Sequence, residues 1–311
     1  MTKSTKQTKT LPIVRLRKLW YAISIVLIGG SIALVAIKGI PLGIDFVGGT
    51  LQTVTFSEAA PATDALGETL KPLVGEATIQ PTGDKSVLLR YSNVDQPTRQ
   101  KVLDELKSKH GELTEDSFET IGPVIGRELT RKGLWAIALV IAAIVAYLTY
   151  AFRKVSQPVQ SWKYGVLAVV TLLHDVAVVL GVYALLGLFR DAELNSLFLV
   201  ALLTTLGYSV HDTIVVFDRT RTNILSLGAE QFEKAVDLAT NQTLGRSINT
   251  SLTAVLPLVA MLLFGGATLF NFIAALLTGV IIGTYSSIFV SSPLLVTWYR
   301  WSKKRAERRG R

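Results

Sequence analysis

Cysteine is absent from this chain of 311 residues, which excludes disulfides, thiol chemistry and any Cys-based zinc site. Histidine is scarce: His110, His174 and His211 are the only three, and no H-E-x-x-H places two of them on one helix face. No G-x-x-x-x-G-K-[ST] run occurs, so there is no visible P-loop to hydrolyse a nucleotide. No nucleophile–base pair stands out either. The expectation is a chain that is not an enzyme, carries no cofactor or metal, and draws energy for any work from elsewhere.

Apolar residues are abundant. Half of the residues are hydrophobic. The mean hydropathy is +0.42, where a soluble chain of this size sits near neutral, so much of this surface is expected to meet lipid. The formal net charge is +9, but the basic residues gather beside apolar runs. With no nucleic-acid-binding motif, that placement points to the lipid bilayer and away from nucleic acid.

Six apolar runs are long enough to span a bilayer, which takes about 20 helical residues. The first, 20–38, follows a basic arm over 1–19. It is longer than a signal-peptide core and no A-x-A site follows it, so it reads as an uncleaved helix. The others lie near 134–152, 165–188, 196–217, 248–267 and 270–298, within a stretch of 134–299 that ends in a basic tail over 300–311. Gly279 and Gly283 form a G-x-x-x-G in the last span, a pattern that lets helices approach closely in lipid but also arises by chance.

Lys and Arg set the expected orientation. They cluster in the N-terminal arm (Lys3, Lys6, Lys9, Arg15, Arg17, Lys18) and after the second span (Arg153, Lys154, Lys163). They recur after the fourth (Arg219, Arg221, Lys234, Arg246) and in the tail from Lys303 to Arg311. The alternate loops carry little beyond Arg190. Both termini are thus expected inside, in the cytoplasm, and the segment 39–133 outside. That segment is too long for a loop. Strand-like residues at 51–55, 76–80, 86–91 and 117–121 alternate with helices near 62–73 and 96–110. The order β-α-β-β-α-β is the ferredoxin-like arrangement, a small α+β domain between helices 1 and 2.

Ionisable residues inside the spans are the candidate site, because a charge at the bilayer centre costs at least ~2.5–3.5 kcal/mol. Asp175 and Asp212 are such residues, and each follows a histidine, His174 and His211. Neighbours on a helix point about 100° apart, so each His and Asp is expected to face differently. Thr205, Tyr208, Asp212 and Arg219 share one stripe. Two readings are open: a polar seam joining helices, or a proton carrier, since an apolar setting disfavours a carboxylate's charged form. The proton role is weighted towards Asp212, more weakly towards Asp175. Asp218 and Arg219 are expected to form an interfacial ion pair. Arg246 is read as starting the fifth span, either as an anchor or as a partner for a carboxylate, with Asn249, Thr250 and Thr253 continuing its face along a wet path.

Several stretches resemble the SecD/SecF family. They are Gly43-Ile44-Asp45-Phe46-Val47-Gly48-Gly49-Thr50, Ile121-Gly122-Pro123-Val124-Ile125-Gly126, Leu173-His174-Asp175, Gly207-Tyr208-Ser209-Val210-His211-Asp212 through Asp218-Arg219, and Arg246-Ser247-Ile248-Asn249-Thr250-Ser251. The resemblance covers nearly the whole chain. Thr222 stands where the family's Arg-x-Arg-Glu-Asn has its Glu. The resemblance implies an α-helical polytopic protein with six transmembrane helices, one RND-type half. A separate SecD chain would supply the other. The pair would assist the SecYEG channel and the SecA motor at the bacterial inner membrane, using the proton-motive force to draw preproteins out. It implies that Asp212 and Arg246 belong to the proton path. Gly48 and Gly49 are read as a turn into the first strand, and Asp45 as an exposed loop residue that caps or binds backbone. The alternatives are a small-molecule RND-type antiporter, disfavoured by an outer segment of only ~95 residues, and a scaffold subunit without proton chemistry.

Overall fold

The apolar runs form six helices long and apolar enough to cross a membrane, in a computed structural model that describes residues 11–153, 158–190 and 192–310, with only the backbone at 190, 267 and 268. Lys3, Lys6, Lys9, Lys154 and Arg311 of the basic clusters lie outside the described residues, as does the side chain of Arg190. The chain divides into two compact units.

The first unit comprises residues up to Gly39, Ile137–Leu185 and Val200–Arg311. Its helices belong to α1 (Arg17–Lys38), α5 (Pro123–Ala151), α6 (Ser161–Arg190), α7 (Ser196–Leu227), α8 (Phe232–Phe264), α9 (Ala267–Ser286) and α10 (Ser292–Arg308). They are longer than the apolar windows because helix continues into polar sequence at their ends. The expected loop after the fourth span is therefore mostly helix. Arg219 and Arg221 lie on α7, Lys234 and Arg246 on α8, and the turn between is short. Gly228 makes it at φ +84°, a conformation that suits glycine. Asn223 braces it, donating to the Ala235 carbonyl at 3.2 Å and to Gln242 Oε1 at 3.1 Å.

The end of the arm is folded too. Ile13 and Val14 are buried, Val14 N donates to Asp237 Oδ1 at 3.1 Å, and Leu11 N donates to Asn241 Oδ1 at 2.7 Å. The last span is one run of helix, from α9 through a π-helical turn at Ser287–Ser291 into α10, which carries the basic tail. Such wide turns commonly mark function. The G-x-x-x-G packs closely: a Cβ on Gly279 would collide with Thr205, and one on Gly283 would come within 2.8 Å of Ser209 Cβ.

The second unit comprises Ile40–Ala136 and Leu186–Leu199. It contains the short helix α2 (Ile44–Val47), then β1 (Gly49–Phe56), α3 (Thr63–Val74), β2 (Thr78–Pro81), β3 (Ser86–Tyr91), α4 (Gln96–His110) and β4 (Leu113–Ile121). The β-α-β-β-α-β order expected from the sequence is present. All strand pairs are antiparallel, in the order β2-β3-β1-β4. Alternation along β1 turns Val54 and Phe56 inward against Leu66 and Leu70 of α3 and Val102 and Leu106 of α4. Gln52 is also on that buried face; its amide accepts from Tyr91 Oη at 2.6 Å and donates to Glu115 at 2.7 Å. Arg99 completes the corner with an ion pair to Glu115.

Candidate functional site

Two buried carboxylates sit among hydroxyl groups in the first unit. Asp175 of α6 is 4% exposed and Asp212 of α7 is 3% exposed. Water does not reach them in bulk, so their partners decide whether charge can be held there.

Asp175 is firmly held. Its Oδ2 accepts from Ser209 at 2.5 Å and from Ser286 at 2.9 Å, and its Oδ1 lies 2.9 Å from His174 Nδ1. The expectation that His174 and Asp175 face apart is therefore corrected. Adjacent side chains diverge at Cβ, but the imidazole folds back to reach the carboxylate. His174 Nε2 is buried and has no hydrogen-bond partner among the described residues.

Asp212 is loosely held. Ser247 donates to Oδ1 at 3.3 Å and Thr284 donates to Oδ2 at 3.4 Å, both near the limit of a hydrogen bond. Beyond them, Thr284 shares a short hydrogen bond with Ser251, and Tyr208 donates to Ser251 at 3.3 Å. The stripe of Thr205, Tyr208 and Asp212 thus does join helices, through Gly279, Ser251 and Thr284. Arg219 leaves it, donating to Gln242 Oε1 at 2.6 Å. Asp218 meets Arg221 at 3.8 Å, so the expected pair with Arg219 is not formed. The geometry of a helix brings i and i+3 together, not neighbours.

Arg246 lies well inside α8, since that helix starts at Phe232. Its side chain is exposed and lines an open groove of about 640 Å³ with Arg219, Arg221 and Asp218. Among the described residues Arg246 is in no ion pair. Asn249 and Thr253 are exposed like Arg246 and Thr250 is half-buried, while Ser247 and Ser251 turn inward. His211 is exposed. Sequence reasoning missed the hydroxyls. Ser209 lies one turn before Asp212, and Ser286-Ser287 follow the G-x-x-x-G at helical spacing, which was the available signal. Ser287 meets Thr213 at 2.8 Å and donates to the Ser209 carbonyl at 3.0 Å, so the π turn brings two successive serines into the same seam.

The glycine motif belongs to the second unit. Gly48 and Gly49 have φ of +81° and +144°, and a Cβ on Gly48 would come within 2.8 Å of Pro123 Cα. Gly126 meets the same stretch, its would-be Cβ lying 2.9 Å from Gly48 N and from Phe46 O. The two glycine-bearing motifs therefore pack backbone to backbone, which is more than a simple turn. Asp45 is half-buried in α2, and its Oδ2 accepts from Ser196 N at 2.6 Å, capping α7. Gly43 N donates to the Leu194 carbonyl at 2.6 Å, and Leu194 N donates to Pro41 O at 2.9 Å, which ties the 186–199 segment to the same motif.

The family described as protein export membrane protein SecD/SecF, C-terminal, matches residues 101–301, and the SecD/SecF GG motif matches residues 33–60. The protein translocase subunit SecF of Thermobaculum terrenum is 41% identical over 300 residues, covering 93% of this chain and 94% of that protein. That of Anaerolinea thermophila is 39% identical over 292 residues, with the same coverage. Among solved structures, the translocon-associated membrane protein SecDF of Thermus thermophilus superposes with a TM-score of 0.81 at 32% identity. The match covers 96% of this chain and 40% of SecDF, so the chain spans well under half of that longer protein.

Proposed function

The chain belongs to the SecD/SecF family of protein-export membrane proteins, and on that premise we propose that it is a SecF-type subunit that passes protons through Asp212 to drive export. The observation that carries this reading is the loose seat of Asp212: a buried carboxylate with two long hydroxyl contacts, surrounded by groups that can both donate and accept. Asp212 takes up a proton and its charge disappears. Ser247 and Thr284 then turn their protons elsewhere, and the helices bearing them are free to shift. Release of the proton restores the contacts.

Proton binding changes conformation only if the two states differ in proton affinity. Arg246 supplies that difference if it approaches the Asp212 carboxylate in one state and stays in its exposed groove in the other. Asp175 has a supporting part: its three contacts keep α6, α7 and α9 in register while Asp212 titrates. One proton crossing 100 mV yields ~2.3 kcal/mol, so a few suffice for a domain movement. The second unit, which includes the start of α7, is the part that moves.

SecD is the proposed partner, because this chain matches 40% of a SecDF protein. The pair sits in the bacterial cytoplasmic membrane with both termini inside. It acts beside SecYEG on preproteins that SecA has already committed.

The test is export of a secreted reporter in cells depleted of this subunit. Wild type should restore export, and Asp212→Asn should not, although it accumulates normally and co-purifies with SecD. Full rescue by the Asp212→Asn variant would leave a scaffold without proton chemistry as the better reading.

A further inference from the structure

α10 carries its basic residues on two sides, and the two sides are differently neutralised. On one, Arg300 forms an ion pair with Glu233, and Lys303 and Lys304 share a groove with Glu230, Glu233 and Glu307. On the other, a cavity of about 540 Å³ opens between the start of α6 and the end of α10. Its principal lining residues are Trp162, Lys163, Trp298, Trp301, Arg305 and Arg309, and among the described residues no carboxylate lines it. Among the described residues none of these three cations is in an ion pair.

The tryptophans give this side a second character. Three of the five in the chain gather here. Trp162 and Trp298 meet edge to face at 5.8 Å. Lys163 Nζ lies 5.9 Å from the Trp162 ring and 6.0 Å from the Trp298 ring, and the Arg305 guanidinium lies 5.2 Å from Trp301. Trp301 is 56% exposed. Along α10 the residues change from fully buried Leu295 and Val296, through Trp298 and Trp301, to the basic end. That gradient places the cavity where an apolar span gives way to water, the depth at which tryptophan collects in membrane proteins.

We propose that this cavity binds the headgroup of an anionic phospholipid. Lys163, Arg305 and Arg309 receive the phosphate, with arginine supplying paired donors to its oxygens. The indoles lie along the glycerol and the first carbons of the acyl chains. A free phosphate uses only the cations and leaves the indoles uncovered, whereas a phospholipid fits both chemistries and arrives laterally at this depth.

The experiment uses the full chain with its partner subunit in nanodiscs of phosphatidylcholine. Brominated phosphatidylglycerol is compared with brominated phosphatidylcholine at equal mole fraction, reading tryptophan fluorescence. Trp20 and Trp135 are replaced by Phe so that within this chain only the cavity reports, and the signal of a Trp162→Phe, Trp298→Phe, Trp301→Phe variant is subtracted for the partner. Stronger quenching by the anionic lipid is expected. Arg305→Gln with Arg309→Gln should weaken that preference roughly fivefold for each charge removed. Lys303→Gln with Lys304→Gln removes equal charge from the opposite side and should leave it unchanged. Lys163→Gln serves as a second variant if the arginine pair fails to fold. Equal quenching by the two lipids overturns the proposal, as does an equal loss with the Lys303 and Lys304 pair, which would make the attraction a diffuse property of the tail. Displacement of the brominated lipid by millimolar inorganic phosphate would mark an anion site only and overturns it as well.

Discussion

Ser209 donates to Asp175 at 2.5 Å from a position one turn before Asp212, so a single helix serves both buried carboxylates. α9 does the same from the other side, since Thr284 reaches Asp212 and Ser286 reaches Asp175. The two acids sit in one seam but are held unequally. Asp175 has three contacts of 2.5–2.9 Å, while Asp212 has two of 3.3 and 3.4 Å. Hydrogen bonds weaken as they approach about 3.5 Å, so the shorter set is the stronger.

Ser209→Ala should therefore cost stability, because it removes the shortest donor to Asp175 and leaves a buried acceptor underpaired. Leaving a buried polar group underpaired costs ~1–3 kcal/mol, so the detergent-solubilised protein should melt several degrees lower. Asp212→Asn should melt close to the wild type. Melting followed by size-exclusion chromatography compares them. An Asp212→Asn variant less stable than the Ser209→Ala variant would reverse the assignment of which acid is structural.

The contact between Asp45 and Ser196 makes a local prediction. Capping a helix N-terminus is worth ~1 kcal/mol, and here the cap comes from 151 residues away in sequence. Asp45→Ala should speed hydrogen exchange across 196–199, with Asp45→Asn intermediate because one oxygen acceptor remains. Unchanged exchange in the Asp45→Ala variant would mean that the cap does not hold the helix start.

These pairs mark the limit of what the sequence discloses. The six spans were legible because lipid demands long unbroken apolar runs, and the succession of strands and helices along the second unit because strand-like runs alternate with helical ones. Asp175 and Asp212 stood out because charge is rare at that depth. Their partners did not, since serine and threonine are common in membrane helices and only the packing of α9 against α7 selects Ser209, Ser247, Thr284 and Ser286. Helix ends were misplaced for a similar reason. Arg246 and Lys234 look like loop residues by hydropathy, yet helix continues through polar sequence once tertiary contacts support it. Asp45 looked like an exposed loop residue because its partner, Ser196, is distant in the chain.

Glu115 gives a pH dependence in the second unit. Burial pushes its carboxyl up, but the Arg99 and Gln52 contacts outweigh burial and hold it below the ordinary carboxylate range. A depressed folded value means that the stabilisation is fully present above the unfolded range and is lost as pH falls through the folded one. Glu115→Gln should destabilise the protein near neutral pH, by ~1.5 kcal/mol, and have less effect in acid. Thermal melts from about pH 7 down to about pH 3 should show the two curves converging. A constant gap at all pH values would show that the charge on Glu115 contributes nothing.

The close approach of α9 to α7 should be the least tolerant place in the first unit. Gly283 lies where a Cβ would be 2.8 Å from Ser209 Cβ, and the helices on both sides carry the hydroxyls that hold Asp175 and Asp212. Overpacking typically costs about 1–3 kcal/mol, and here it would also move Ser286 and Thr284 away from their acceptors. Gly283→Leu should lower both the melting temperature and reporter export. Gly245→Leu, at a site open to space, should lower neither by as much. Export retained by the Gly283→Leu variant would show that the seam need not be tightly closed for the protein to work.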